Sequence, residues 1–279
     1  MIHFILNPNA GTNSKQERAR IQAILGAVPN ARVWQTERVN HAKELAQKAV
    51  LEGASKIIAI GGDGTINEVA SSLLHSSIPL GIIPMGSGNG LARHLGLPLS
   101  FEMGLERALN GKNITIDAGK WNDRLFFCTA GIGFDATVAA HFAKRGKRGF
   151  INYIYSTFKS FFSYQFITID EIGPLFSFTV ANANQFGNNA YISPESDLQD
   201  GLLEVIQIKP GNILSLANLG ISLFRKKLHQ HSLVTIKTVK SIQFHTQKGI
   251  PYHLDGESLL LEKNLVEISI LPASLQVVK

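Results

Sequence analysis

The sequence has 279 residues, 44% of them hydrophobic, which is enough for one large domain or two ordinary domains with cores of their own. Its net charge of +6 favours anionic partners such as nucleotides, phospholipid surfaces or nucleic acid without selecting among them. The single cysteine excludes an internal disulfide, no secretory leader is recognisable, and prolines and glycines interrupt the longest uncharged stretch, 69–92. We therefore expect a cytoplasmic protein that does not cross a membrane.

Strand and helix patterns alternate over the first part of the chain. Residues 2–6 form an apolar run, the turn Asn7-Pro8-Asn9-Ala10-Gly11 follows, and residues 14–25 have a polar helical pattern. A second predicted strand at 32–34 ends near Thr36, and a second predicted helix covers 42–52. This alternation predicts a parallel α/β sheet, and such sheets bind ligands at the carboxyl ends of their strands.

The third predicted strand leads into a glycine-rich turn, Gly61-Gly62-Asp63-Gly64-Thr65-Ile66-Asn67, which opens a helix. Glycines permit close approach of the backbone, and a helix N terminus attracts anions, so this turn is a candidate phosphate site. A carboxylate beside a phosphate is favourable mainly when a cation such as Mg2+ bridges the two, which fits a nucleoside triphosphate near Asp63. A tight turn in which Asp63 or Thr65 only caps the helix explains the same pattern.

The motif GGDGT followed by INE resembles the nucleotide-binding loop shared by diacylglycerol kinases, sphingosine kinases and NAD kinases. The turn at 7–11 is similar to the N-P-x-(A/S)-G motif that contacts nucleotide in this superfamily, and Thr36 matches a threonine that its lipid kinases use near the nucleotide. The sequence contains no Walker A loop and no H-R-D or D-F-G element of protein kinases. The resemblance therefore implies ATP binding of a different kind.

A second glycine-rich turn distinguishes two branches of this superfamily. Residues 84–93 read PMGSGNGLAR, which closely resembles the P-x-G-T-x-N-x-x-A-R motif of diacylglycerol and sphingosine kinases. Gly86, Ser87 and Asn89 are its candidate nucleotide-binding residues, and Ser87 keeps the hydroxyl of the usual threonine. The asparagine- and glycine-rich motif of NAD kinases is not found, so NAD kinase-like activity is the second alternative.

From residue 111 onward, short apolar runs separated by turn signals replace the helical pattern, which is typical of an antiparallel β domain. We predict an N-terminal parallel α/β nucleotide-binding domain at 1–120 and a C-terminal, mainly antiparallel β-sandwich domain at 121–270. The tail 271–279 is a candidate addition to the first domain. The predicted strands are 114–116, 125–128, 166–169, 176–180, 203–206, 234–236 and 242–244. Cys128 would then be a buried strand residue.

Two further patterns in this half allow more than one interpretation. Residues 130–136 resemble the G-x-G-F-D-A signature of the family, which predicts a close-packed turn where Asp135 has a structural or cleft-lining role. An apolar stripe over 151–162 predicts a helix, and the basic residues 144–148 precede it. A buried helix beside a solvated loop and an element that contacts anionic lipid are both compatible with this order, and the former is favoured. The basic cluster 225–231 has the same ambiguity.

Two acidic motifs follow. Residues 195–205 resemble the D-G-x-L/F element with which bacterial lipid kinases hold a structural Mg2+, and the resemblance assigns Asp200 as a ligand with main-chain oxygens of Asp197 and Leu202. A plain Asp-Gly hairpin explains the same residues without a metal. Residues 253–257 resemble the H-x-D-G-E motif, in which an acidic residue accepts the proton of the lipid hydroxyl. This resemblance assigns Glu257 as the base and Asp255 as its helper.

The motifs together imply an ATP- and Mg2+-dependent kinase that phosphorylates a hydroxyl of diacylglycerol, a sphingoid base or a related membrane lipid. The expected catalytic residues are Asp63, Asp255 and Glu257, in a cleft between the two domains. We expect peripheral contact with the inner face of the membrane and no nucleic acid partner, and we leave a homodimer open. A non-catalytic anion- or lipid-binding protein of the same fold is a further alternative, which the intact acidic residues disfavour.

Overall fold

The computed structural model describes residues 1–11, 14–145, 164 and 166–279, except for the side chains of 142–145. The chain divides into two compact units. The first contains residues 1–116 together with 273–279, and the second contains residues 117–272. The division falls inside two strands, Asn113–Trp121 (β5) and Leu265–Val278 (β16), each of which runs from one unit into the other.

The first unit is built on parallel strands that alternate with helices. The strands are Ile2–Leu6 (β1), Ala31–Gln35 (β2), Lys56–Gly61 (β3) and Leu80–Pro84 (β4), and they lie side by side in the order β2-β1-β3-β4. All three of these pairings are parallel. The helices are Lys15–Gly26 (α1), His41–Leu51 (α2), Asp63–Ser72 (α3), Gly90–His94 (α4) and Phe101–Asn110 (α5).

Strands β1, β3 and β4 are almost wholly buried because helices cover the sheet, whereas β2 is partly exposed. Ile58 and Ile60 of β3 are fully buried and pack with Phe4 of β1 and with Ile21 and Leu25 of α1. The last residues of β16 lie beside β4 in parallel, with Val277 opposite Leu80. This packing holds the carboxyl ends of β1, β3 and β4 in a fixed arrangement, where the glycine-rich turns begin.

The second unit is mainly antiparallel. Its strands after β5 are Arg124–Phe126 (β6), Thr129–Gly133 (β7), Ile167–Ile169 (β8), Gly173–Leu175 (β9), Ser177–Ala181 (β10), Leu203–Ile208 (β11), Val234–Val239 (β12), Ser241–His245 (β13), Pro251–Leu254 (β14) and Glu257–Leu260 (β15). Its longer sheet follows the order β12-β11-β10-β7-β14-β15, and every pairing in it is antiparallel. Its described helices are Phe134–Arg145 (α6), Ile213–Phe224 (α7) and the 3-10 helix Leu228–Gln230.

Two layers of strands enclose the core of the second unit. Trp121 and Phe244, on β5 and β13, pack against Tyr252 and Phe178, on β14 and β10. The Trp121 and Tyr252 rings are stacked with centroids 5.5 Å apart, and those of Phe178 and Phe244 are 4.8 Å apart. This packing of one sheet on another is a β-sandwich, so the predicted fold class, a parallel α/β domain followed by an antiparallel β-sandwich, is confirmed.

Several local predictions differ from the structure. Cys128 is buried, as predicted, but it lies in the bend between β6 and β7 rather than in a strand. Helix α6 begins at Phe134, directly after β7, where only a turn was predicted. Helix α7 was not predicted at all. The predicted stripe over 151–162, and the side chains of the basic residues 144–148 before it, lie outside the described part of the structure.

Among the described residues, no helix has both the length and the apolar content needed to cross a bilayer.

Candidate active site

The two glycine-rich turns of the first unit pack backbone against backbone. A Cβ atom added to Gly86 would lie 2.7 Å from Cα of Gly62, which is closer than real Cβ contacts come. A Cβ added to Gly61 would collide with the side chain of Thr65, also at 2.7 Å. The backbone N–H of Met85 donates to the carbonyl of Gly61 at 2.7 Å. Gly86 is therefore required for the contact between the turns that follow β3 and β4, and Gly61 for the packing of Thr65 within the first of them.

The carboxylate of Asp63 joins the same two turns. Its oxygens accept hydrogen bonds from the backbone N–H groups of Asn89, at 2.8 Å, and Gly90, at 2.9 Å. Because these N–H groups belong to the start of α4, Asp63 caps that helix. The Asn89 side chain braces the second turn through hydrogen bonds to the N–H and carbonyl of Gly86. Asp63 therefore fixes the turn after β3 relative to the turn after β4.

The turn after β1 joins this group through Asn7. Its side-chain amide donates to the hydroxyl of Thr65 at 3.0 Å, and its side-chain oxygen accepts from the N–H of Asn9 at 3.0 Å. Gly11 has a left-handed φ of +71°, and a Cβ there would lie 2.8 Å from the carbonyl oxygen of Met85. Pro8 and Ala10 complete this turn, and Ala10 is buried.

The remaining predicted nucleotide residues differ in exposure. Thr36 follows β2 at the same sheet edge and is buried, with its N–H bonded to the carbonyl of Leu6. Ile66 packs its side chain into the interior, so only its backbone is available to a ligand. Asn67 accepts a hydrogen bond from Ser71, and Ser87 is exposed. The structure thus brings the predicted residues of the turns after β1, β3 and β4 together, with Thr36 beside them.

Among the helices that follow β1 to β4, α3 has a different N terminus. Side-chain oxygens cap α1, α2 and α4: Ser14 accepts from Glu17, Glu68 accepts from Asn40 and Ala42, and Asp63 accepts from Asn89 and Gly90. Helix α3 has Gly62 at its N-cap position, which provides no side chain. In its first turn Gly64 is exposed, with no atom within 4 Å of the position a Cβ would take. An anion can therefore approach the first turn of α3.

The second unit contains the acidic turn. Asp255 and Gly256 join β14 to β15, with φ angles of 49° and 84°, as expected for an Asp-Gly hairpin turn. The carboxylate of Asp255 accepts three backbone hydrogen bonds, from Phe127 at 2.9 Å, Cys128 at 2.7 Å and Thr129 at 3.1 Å. Glu257, the first residue of β15, is exposed. Asp255 therefore holds the bend before β7, and the Glu257 side chain reaches solvent.

A buried cluster behind this turn was not identified from the sequence. Nε2 of His253 lies 3.1 Å from a carboxylate oxygen of Asp135, which also accepts a 2.6 Å hydrogen bond from the hydroxyl of Thr179. Nδ1 of His253 accepts from the N–H of Gly256 at 3.4 Å, so Nε2 is the nitrogen that donates to Asp135. Asp135 therefore has a structural role that reaches the acidic turn. The motifs at 130–136 and 253–257 contain Asp135 and His253, but nothing in the sequence indicated that these two residues are in contact.

The predicted metal site lies in a loop of exposed carboxylates. Asp197 accepts from the N–H of Gln199 at 3.0 Å, and Asp200 accepts from the N–H of Leu202 at 2.9 Å. Burial raises the pKa of the Glu204 carboxyl above its ordinary value, and the charges of Asp200 and Asp197 raise it further. The Asp200-Gly201 turn leads into β11 and does not form the simple hairpin considered as the alternative.

The donors of this loop suit a hard divalent cation. Carboxylate and carbonyl oxygens are the ligands that Mg2+ takes, and a cation would offset the negative field that acts on Glu204. Within the described residues, however, no three His, Cys, Asp or Glu side chains are grouped to hold a metal. Asp200 and main-chain oxygens would therefore have to provide the site.

The second unit also contains a cavity of about 530 Å3. Its walls include the apolar side chains of Phe166, Ile167 and Ile250 and the polar side chains of Thr137 and Asp170. Pro251, at the start of β14, also lines it. The cavity thus lies along the strand that ends at the acidic turn, and its mixed walls suit an amphiphile.

Family models match the two parts of the chain in succession. The model of the diacylglycerol kinase catalytic domain matches residues 1–121. The model of the YegS C-terminal NAD kinase beta sandwich-like domain matches residues 128–279, which is more than half of the chain.

Individual proteins resemble the chain over most of its length. A Pseudomonas putida protein described as "Probable lipid kinase YegS-like" is 29% identical over 235 residues, which cover 80% of this chain and 77% of the relative. A Serratia proteamaculans protein with the same description is 26% identical over 265 residues, covering 89% and 85%. The crystal structure of a candidate diacylglycerol kinase from Bacillus anthracis strain Sterne superimposes with a TM-score of 0.79 at 22% identity, covering 99% of this chain and 94% of the other. This last likeness shows a shared fold.

Proposed function

Because the chain belongs to the family of diacylglycerol kinases and YegS-like lipid kinases, we propose that it transfers the γ-phosphoryl group of ATP to a hydroxyl of a membrane lipid, with Mg2+ as cofactor. Diacylglycerol and sphingoid bases are the lipid classes we propose. Both relatives named above have the description "Probable lipid kinase YegS-like". A phosphotransferase with an alcohol group as acceptor follows from the family.

The open N terminus of α3 is the observation that carries the ATP proposal. It lies among the turns after β1, β3 and β4, where parallel α/β sheets bind ligands. The helices that follow β1, β2 and β4 have their N termini capped by side chains. Gly64 allows a phosphate to approach the first turn, and the helix dipole favours its negative charge. We assign the triphosphate of ATP to this position.

We assign the proton transfer to Glu257. As the lipid oxygen forms its bond to the γ-phosphorus, the bond from that phosphorus to the ADP oxygen breaks and the hydroxyl proton must leave. A carboxylate within hydrogen-bond reach accepts such a proton, and the side chain of Glu257 is exposed at the hairpin where one is expected. Asp255, with its oxygens bonded to three backbone N–H groups, positions the hairpin instead.

Mg2+ would supply charge neutralisation that phosphoryl transfer requires. Asp200, with main-chain oxygens of Asp197 and Leu202, would hold a structural ion in the second unit. We assign Asp63 the role of holding the two glycine-rich turns together, rather than of holding a metal, because both of its carboxylate oxygens accept backbone hydrogen bonds.

The test is a transfer assay with the purified full chain, labelled ATP and separate acceptors: diacylglycerol, a sphingoid base and NAD. We expect label in one of the two lipids, dependent on Mg2+ and lost on chelation. Label in NAD alone would replace the lipid proposal by the NAD kinase-like alternative. ATP binding without transfer to any acceptor would favour the non-catalytic alternative.

A further inference from the structure

Helix α7 has two apolar faces, and only one of them is buried. Leu216 and Leu219 pack into the core of the second unit, with Leu223 partly buried beside them. On the opposite side, four large apolar side chains are exposed to at least half of their area: Ile213 58%, Leu214 78%, Ile221 51% and Phe224 53%. Helical spacing places these four residues on one continuous stripe. We call this stripe the outer face of α7.

The outer face is bordered by positive charge. No Asp, Glu, Lys or Arg occurs within α7, and the exposed residues Arg225, Lys226 and Lys227 follow it directly. From residue 205 to residue 254 the sequence contains no acidic residue. The basic residues of that segment are Lys209, Arg225, Lys226, Lys227, Lys237, Lys240 and Lys248.

The three basic residues after α7 are not engaged by carboxylates. Lys226 lies over the ring of Tyr191 at 4.4 Å, and no ion pair joins Arg225 or Lys227 to any residue that the structure describes. Cations at a helix C terminus also stabilise the helix dipole, but that effect does not account for an exposed apolar stripe beside them.

From these observations we infer that the outer face of α7 docks on the surface of an anionic phospholipid bilayer. An interfacial helix inserts apolar side chains at the level of the headgroups while neighbouring basic residues contact anionic lipid. The outer face provides the former, and Arg225 to Lys227 provide the latter. Self-association through the same face would bring two basic clusters together, which is electrostatically unfavourable.

This inference deepens the proposed function, because it names the surface through which a membrane lipid would become accessible. Docking can nevertheless be measured without ATP or turnover. Its failure is therefore separable from failure of the kinase proposal.

The test is co-sedimentation of the full chain with vesicles of phosphatidylcholine, alone or mixed with phosphatidylglycerol. We expect the wild-type protein to bind the anionic vesicles and not the neutral ones. The double variant Leu214→Ser/Phe224→Ser should weaken binding about tenfold or more, because it removes two exposed apolar groups. Arg225→Gln/Lys227→Gln should weaken binding about fivefold for each charge removed. Added salt should weaken the binding of the wild type to anionic vesicles, because it screens the same charges.

Matched controls come from the first unit. Leu51→Ser removes an apolar side chain that is 88% exposed, and Lys15→Gln/Lys43→Gln removes two exposed charges. These variants should bind anionic vesicles as the wild type does. The inference is overturned if the wild type binds no vesicles, if the α7 variants bind normally, or if the controls lose as much binding as the α7 variants. It is also overturned if the α7 variants change only the oligomeric mass in light scattering.

A parallel kinase assay uses a short-chain lipid dispersed in detergent, where no bilayer is required. We expect the α7 variants to keep wild-type turnover there. Turnover lost in detergent by variants whose vesicle binding is normal would contradict docking as the role of this face. Absence of turnover in every protein, with vesicle binding as expected, would leave docking supported and reject the proposed function.

Discussion

Asp63 and Asp255 have the same kind of hydrogen-bond partner, the backbone N–H groups of a neighbouring loop. Such charge-assisted hydrogen bonds are stronger than those between neutral groups. Each carboxylate therefore fixes the loop it bonds to. Glu257, two residues after Asp255, is instead exposed at the start of β15.

The first prediction compares these residues in the acidic turn. Glu257→Gln should fold as the wild type and bind ATP normally, while lipid turnover falls by about two to four orders of magnitude, because the proton acceptor is lost. Asp255→Asn should lower the free energy of unfolding by about 2 to 3 kcal/mol, because it weakens hydrogen bonds to a charged acceptor. Denaturant unfolding and turnover at saturating ATP, measured on both variants, separate the two effects.

If Glu257→Gln keeps near wild-type turnover while Asp255→Asn is inactive and fully stable, the base is Asp255.

The second prediction concerns pH and Glu204. Burial and the nearby aspartates raise the pKa of its carboxyl in the folded protein, so the folded state holds this proton at a higher pH than the unfolded state does. Glu204 therefore destabilises the protein once ionised, and this penalty disappears as pH falls through its raised pKa towards the ordinary value. Glu204→Gln should remove that part of the pH dependence of unfolding. An unchanged profile above about pH 4 would contradict it.

At this scale the sequence predicts residue types better than their partners. GGDGT and H-x-D-G-E both place an aspartate beside a glycine, and the sequence predicts a catalytic role for both aspartates. The partners of Asp63 are Asn89 and Gly90, and those of Asp255 lie at 127–129, so each contact depends on a fold that brings distant segments together. The contact between His253 and Asp135 was missed for the same reason.

At the scale of elements, the turns after β3 and β4 act as one structure because two glycines meet. The contact between Gly62 and Gly86 leaves no room for a side chain at Gly86. Gly64, in contrast, lies in the first turn of α3 beside open space. Gly62 and Gly64 of the same motif therefore differ: Gly62 packs against Gly86, and Gly64 leaves the first turn of α3 open.

The third prediction compares Gly86→Ala with Gly64→Ala. Gly86→Ala should destabilise the protein by about 1 to 3 kcal/mol, because the added methyl group overpacks the contact. Gly64→Ala should leave stability equal or raised by up to about 1 kcal/mol, because alanine favours the helix, yet weaken ATP binding about tenfold or more. Thermal unfolding and calorimetric titration with ATP measure the two quantities.

The control is Gly26→Ala, a helical glycine with open space at the far end of α1. It should leave ATP affinity unchanged. If Gly64→Ala binds ATP with wild-type affinity, the assignment of the triphosphate to the first turn of α3 is wrong.

Element types could be predicted where periodicity was clean, and less well elsewhere. The alternation up to β4 follows apolar runs and helical spacing, and its helices end within one or two residues of expectation. Helix α7 was missed because it has apolar residues on both faces, so no polar stripe marks it as amphipathic. Helix α6 was missed because its glycine-rich start resembles a turn.

At the scale of the whole molecule, the first unit is formed by two segments of the chain, one before and one after the second unit. Residues 273–279 belong to the first unit, where Leu275 and Val277 are fully buried. The carbonyl of Ser274 accepts from the N–H of His75 at 2.7 Å, and Lys279 and Lys112 exchange two backbone hydrogen bonds at 2.8 Å. These residues form part of the core and sheet of the first unit.

The fourth prediction is that Val277→Ala lowers the free energy of unfolding by about 2 kcal/mol, because it leaves a cavity beside β4. Gln276→Ala, at the partly exposed neighbouring position, should change it by less than about 0.5 kcal/mol. Hydrogen exchange of the β4 amides should report the same difference. Equal effects of the two substitutions would show that this segment contributes little to the first unit.

Composition and motif order were sufficient for the fold class, because a parallel α/β pattern followed by many short apolar runs leaves few architectures. They did not show how β5 and β16 connect the two units, since pairing of strands far apart in sequence has no local signal. The tail was only a candidate addition for that reason.

The position of residues 273–279 has a consequence for biosynthesis. Residues 1–116 leave the ribosome long before residues 273–279 are synthesised, so the first unit cannot complete its sheet while the second unit is still being translated. Its β4 edge remains without this neighbour for that interval, and unpaired strand edges attract non-native partners. Folding of the first unit must therefore finish after, and not before, synthesis of the second, and fragments cut at the boundary between them should be prone to aggregation.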